Sequence, residues 1–80
     1  MDGVLRKDGA VLTDAKNIQL GPQVRGSRFC AFEVEADFAL SAPSPGAKFT
    51  LVVDGEALKF VFVEVRLEGG TWAVAGYVVP

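Results

Sequence analysis

The sequence predicts an all-β fold: a small antiparallel sandwich or partly open barrel of about six strands, closed by a C-terminal β-meander. Three observations carry this. Apolar and polar residues alternate with period two from Cys30 to Leu40. Asp54-Gly55 and Gly69-Gly70 separate apolar runs as two-residue hairpin loops. Three further glycines also fall in turn dipeptides, at Asp2-Gly3, Asp8-Gly9 and Gly21-Pro22.

Eighty residues form one domain, spanning 1–80. The first part is weakly patterned, with apolar residues in short pieces at Val4-Leu5, Val11-Leu12, Ile18 and Leu20. Short strands are expected near 10–13 and 17–20, with a turn over 14–16. Residues 1–9 read as an N-terminal arm or frayed edge.

After Gly26 the pattern sharpens. Cys30, Phe32, Val34, Ala36, Phe38 and Leu40 share one face of a strand, and Glu33, Glu35 and Asp37 share the other. A helix would scatter these two sets around its circumference. Residues 41–46 form a loop whose Pro43 and Pro45 cannot donate to a ladder. Strands follow at 48–53, 57–67 and 71–79, an antiparallel meander.

Two-residue loops fix the register. Leu51 then faces Leu58 and Phe49 faces Phe60. Leu67 faces Trp72, Val65 faces Val74 and Val61 faces Val78, while on the other side Phe62 faces Tyr77 and Glu64 faces Ala75. The strand over 57–67 is thereby apolar on both faces near Asp54-Gly55. Val61, Val63 and Val65 line one face, and Phe49, Leu58, Phe60, Phe62, Tyr77 and Val79 gather on the other. A half-buried strand needs one apolar face. Three accounts fit: the strand bulges and trades faces, the N-terminal arm folds over the second face, or another protein chain covers it. Covering about 300 Å² of such surface would contribute roughly 7 kcal/mol before association costs. Phe49, Leu58, Phe60, Phe62, Tyr77 and Val79 are thus the candidate protein interface.

Size makes association a reasonable staple, because a domain this small buries only about 60 % of its unfolded surface. One cysteine allows no internal disulfide, and one cysteine with no histidine makes no zinc site. The same lack of histidine removes the usual general base and hydrolytic triads, so no catalytic residue, metal or cofactor is expected. Cys30 reads as a small core hydrophobe. Eight Lys/Arg are scattered against ten Asp/Glu, for a net charge of −2, which gives no stripe for nucleic acid. No apolar run is long enough for a membrane helix, and the N-terminus lacks the apolar region of a secretory signal. Glu33, Glu35 and Asp37 form the one acidic face, either solvated or docked on a basic partner. Trp72 reads as core or as a hairpin-end cap.

From Gly46 through Phe49-Thr50-Leu51, Asp54-Gly55-Glu56, Phe60 to Val65 and Glu68-Gly69-Gly70, the chain resembles the C-terminal meander of small tailed-phage β-barrel virion proteins. The head–tail joining, or stopper, proteins are the example. The resemblance implies a structural subunit docked in a ring or on a capsid lattice, located in the virion or cytoplasm. The leading expectation is therefore a non-enzymatic structural or assembly protein (capsid decoration, head–tail connector or tail) whose partners are other protein subunits, acting by apolar burial and strand-edge pairing. The alternative is a small binding module or inhibitor that recognises a host protein through the acidic face. A third is an accessory domain of an enzyme.

Overall fold

A computed structural model describes residues 1–35 and 44–80. Six strands run through them: β1 (Gly3–Lys7), β2 (Ala10–Val24), β3 (Ser27–Val34), β4 (Lys48–Val53), β5 (Glu56–Glu68) and β6 (Thr71–Val79). They close into an antiparallel barrel in the order β1-β2-β3-β6-β5-β4, with β4 pairing back onto β1. The C-terminal meander is β4-β5-β6, as the sequence predicts.

Four hairpins are built alike. Asp8-Gly9, Arg25-Gly26, Asp54-Gly55 and Gly69-Gly70 all hold both residues at positive φ. This is the turn whose twist matches the strands it joins, and Gly, Asp and Asn tolerate it best. Arg25 is the exception, at φ 54° without the short side chain that lets Asp or Asn bond its own local backbone. Asp2-Gly3 and Gly21-Pro22 are not turns. Gly3 starts β1 and pairs with Ala15 and Val53, and Gly21-Pro22 lies within β2.

The N-terminal residues are no arm. β1 closes the ring, and Leu5 is wholly buried between Thr13 of β2 and Leu51 of β4. The two short strands expected over 10–13 and 17–20 are one 15-residue strand. β2 pairs with β1 through its first part and with β3 through its second, and its register slips between Lys16 and Gln19 and between Leu20 and Gln23. Such bulges bend a strand around a corner. The first is held by the chain start: the Asn17 N–H donates to Asp2 Oδ1 at 3.2 Å and the Ile18 N–H to the Met1 carbonyl at 2.7 Å. Asn17 sits at φ 52°, which its short amide side chain tolerates.

The paradox of the two-faced strand is resolved by another bulge. β5 pairs Phe62 with Gly76 but Glu64 with Ala75, leaving Val63 as an extra residue. Before it, Phe60 and Phe62 point inward; after it, Val65 faces in and Glu64 faces out. The predicted pairs Leu51–Leu58, Phe49–Phe60, Leu67–Trp72, Val65–Val74 and Glu64–Ala75 hold. Beyond the bulge Val61 pairs with Tyr77, not Val78, and Phe60 pairs with Val78.

Every strand contributes to one apolar interior, from Leu5 and Ile18 through Cys30 and Phe32 to Leu51, Phe60 and Val74. Phe32 and Phe60 meet at its centre, edge to face, with centroids 5.1 Å apart. No polar or charged residue is buried among the described residues. Gly76 is required there: a Cβ would strike the Val61 carbonyl oxygen and come within 2.7 Å of Phe60 Cζ. β3 is described to Val34, the first half of the strand predicted over 30–40, and Ala36, Asp37, Phe38 and Leu40 of that prediction lie outside the described residues.

Candidate functional site

The barrel accounts for most of the expected interface by burying it. Phe49, Phe60 and Phe62 are core residues, and Leu58 packs partly against them. They are not a protein interface, because the Val63 bulge lets the barrel hide them itself. Of the six predicted residues, Tyr77 is exposed and Val79 half-buried, on the outer wall.

That wall carries a different apolar surface. Side chains alternate in and out along a strand, so the neighbours of the buried Cys30, Phe32, Val74 and Val78 look outward. Phe29, Tyr77 and Val61 form one row across β3, β6 and β5, and Ala31 and Ala75 form the next. Phe29 is 50 % exposed and Tyr77 46 %, and their rings meet edge to face with centroids 6.1 Å apart. Val63 adds to the exposed apolar surface of β5. Phe29 escapes a sequence reading that begins its alternation at Cys30. Carried one residue back, the same alternation puts Phe29 on the outward face with Glu33.

Two hollows of about 370 Å³ each interrupt the surface. The first opens where β2 leaves β3 to join β1, lined by Asp14, Lys16, Glu33 and Glu35 with Val11, Thr13, Val34 and Thr71. Of the predicted acidic face, Glu33 and Glu35 are here, and Asp37 lies outside the described residues. Asp14 joins them through β2, a long-range neighbour that no local pattern reveals. Lys16 stands opposite Glu33 in register, yet Glu33 accepts instead from Asn17 Nδ2 at 2.8 Å.

The second hollow is lined by Lys7, Lys48 and Lys59 with Asp8, Phe49, Thr50 and Val79 among others. Lys7 Nζ lies 4.7 Å from the centre of the Phe49 ring, a cation over an aromatic face. Among the described residues the one ion pair is Arg66–Glu68, on exposed surface. None of these three lysines has a carboxylate partner there.

Cys30 is buried, and that burial pushes its thiol up to about 11, the Arg28 guanidinium offsetting part of the rise. A thiol held protonated is a poor nucleophile. Trp72 is half-buried against the core, and its indole N–H is shut from solvent without an acceptor among the described residues. No group of three potential metal-ligating residues occurs among the described residues, and no helix there is long and apolar enough to cross a membrane. Comparison with protein-family models, with curated proteins and with solved structures gives no match for this chain.

Proposed function

We propose that this barrel is a non-enzymatic structural or assembly subunit that docks onto other protein subunits through its outer β3–β6–β5 wall. The phage virion component suggested by the resemblance of the meander is the specific form we favour. The observation that supports it is the Phe29–Tyr77 pair, half-exposed and held edge to face on an otherwise apolar strip. Large amphipathic aromatics of this kind anchor protein interfaces.

Magnitude sets the kind of docking. An aromatic residue offers roughly 200 Å², so covering the exposed halves of two removes about 200 Å² from water and contributes about 5 kcal/mol gross. Association costs of about 4 kcal/mol or more consume most of that. The pair alone supports weak contact, and useful affinity needs Val61, Val63 and Val79 or repetition in a lattice or ring. Strand-edge pairing, the other mechanism expected from sequence, has no edge to use in a closed ring.

The test is the double variant Phe29→Ser/Tyr77→Ser. Both side chains lie on the outer wall but are about half-buried and packed on each other, so stability should fall by about 1–3 kcal/mol, and folding of the variant is verified by its circular dichroism melt. Self-association, or capture of natural partners, should be lost. Retained association by the folded variant refutes this wall as the docking surface.

A second reading draws on the acidic hollow: Asp14, Glu33 and Glu35 against a single lysine favour a binding module for a basic partner. Its affinity would fall steeply with salt, unlike that of the apolar wall.

A further inference from the structure

We infer that the basic partner of the acidic hollow is a second copy of this chain, which presents the lysine hollow in a head-to-tail contact. The inference rests on the assembly reading only in taking self-association as the mode of action; it uses different residues.

Sign segregation carries the argument. Eight basic and ten acidic residues are dispersed along the sequence, yet the fold sorts them. The first hollow gathers three carboxylates, Asp14, Glu33 and Glu35, with one cation, Lys16. The second gathers three cations, Lys7, Lys48 and Lys59, with one side-chain carboxylate, Asp8, and with Pro80 at its edge. Counting side chains, one is −2 and the other +2, or +1 when the Pro80 α-carboxylate is counted; the signs stay opposite. Like charges held around a hollow repel one another, and no ion pair among the described residues relieves either set. A single partner bearing the opposite arrangement relieves both.

Placement makes the contact directional. In the ring order β1-β2-β3-β6-β5-β4, the β2–β3 seam lies diametrically opposite the β5–β4 seam. The acidic hollow is on the first seam and the lysine hollow is centred on the second. The patches cannot satisfy each other within one chain, and a twofold dimer cannot satisfy both at one interface. Stacking copies in the same sense can. Such heterologous contacts give a closed ring if the rotation closes and a filament if it does not. Lys48 and Lys59 are exposed at the rim of their hollow, and their flexible stems can reach into the shallow acidic hollow of the next copy.

The experiment is sedimentation velocity of the full chain at low and high salt, with a charge swap. Asp14→Lys/Glu35→Lys reverses the acidic side at exposed positions and spares the Asn17–Glu33 bond. Lys48→Glu/Lys59→Glu reverses the basic side. Folding of each is verified by its circular dichroism melt, and Asp14→Asn/Glu35→Gln serves if the first reversal melts early. The wild type should self-associate at low salt, with its association constant falling at least about tenfold as the Debye length shrinks from about 10 Å at 0.1 M to about 3 Å at 1 M salt. Each variant alone should be monomeric, and their equimolar mixture should associate. A monomeric wild type at low salt overturns the inference, as does a folded variant that associates like the wild type, or a mixture that fails to associate. Loss of association in Phe29→Ser/Tyr77→Ser, with none in either charge variant, leaves the apolar wall standing and removes this contact alone.

Discussion

Replacing Gly76 with Ala should be the most damaging one-carbon change in this protein. Gly76 lies on β6 opposite Phe62, under the Phe60 ring, and is buried. The added methyl would overlap the Val61 carbonyl oxygen and sit 2.7 and 2.9 Å from two Phe60 ring carbons. The ring cannot swing away, because Phe60 is wholly buried and packs against Phe32. The carbonyl belongs to the backbone, so β6 must move off β5. Overpacking of this kind costs about 1–3 kcal/mol, and each ladder hydrogen bond weakened adds about 1 kcal/mol. A total near 3 kcal/mol is large beside the roughly 4–12 kcal/mol expected for a chain of this length. It should lower Tm by about 12–24 °C, read by thermal and urea denaturation with circular dichroism. Gly21→Ala is the control: its methyl would meet nothing closer than Phe29 Cβ at 3.4 Å, so it should stay within about 0.5 kcal/mol of wild type. Adding Phe60→Leu to Gly76→Ala removes the ring contact but not the carbonyl one, so it should recover none of the backbone part of the loss. A Gly76→Ala protein that melts within about 2 °C of wild type would refute the steric reasoning.

Other predictions follow from single positions. Arg25→Asn relieves an arginine held at φ 54° in a hairpin turn and should stabilise by about 0.5–1 kcal/mol in urea titration. Val63→Asp, at an outward bulge position, should change stability by less than about 0.5 kcal/mol, whereas Phe62→Ala one residue away should cost about 3–5 kcal/mol. Deleting Val63 removes the extra residue and leaves a regular ladder in which Phe62 and Val65 still face in and Glu64 out, so an amide NMR spectrum should keep its dispersion, whereas inserting a residue after Val65 should destroy it. Cys30 is held protonated in the fold, about 11 against an ordinary 9.0. The unfolded thiol therefore loses its proton first, and the stabilisation, complete below pH 9, drains away as pH rises toward 11. At about 1.4 kcal/mol per unit this amounts to at most 2–3 kcal/mol. Denaturation across that window should show a steeper decline for wild type than for Cys30→Ala; parallel declines would contradict it.

How much the sequence discloses depends on how local the cause is. Asp54-Gly55 and Gly69-Gly70 set β4, β5 and β6 and five of the registers, because a turn and its flanking alternation lie within a few residues. The Val63 bulge is different. Two apolar faces signal that something must give, but the extra residue opposite Ala75 is seen only once β5 and β6 are paired. The same holds for β1. Leu5 looks like part of a loose arm until its hairpin partner Thr13 and Leu51, forty-six positions on, are found beside it. The interface reading fails at Phe49, Phe60 and Phe62 for this reason, and Phe29 lies one residue outside the alternating run that begins at Cys30. The acidic hollow was half visible as Glu33 and Glu35; Asp14 and the converging lysines depend on barrel closure.

The five-residue strand that completes the circle is held by its hairpin partner β2 on one side and by β4, more than forty positions further on, on the other. The β1–β4 ladder carries the greater loop-closure cost, so it is the pairing expected to form late. Stripped of β1, the remainder would be a curled five-stranded sheet with two raw margins and a slot lined by Leu51 and Thr13. Whatever fills that slot, the chain's own β1 or the β1 of a neighbour, decides whether the molecule stays sealed or exchanges strands with its kin.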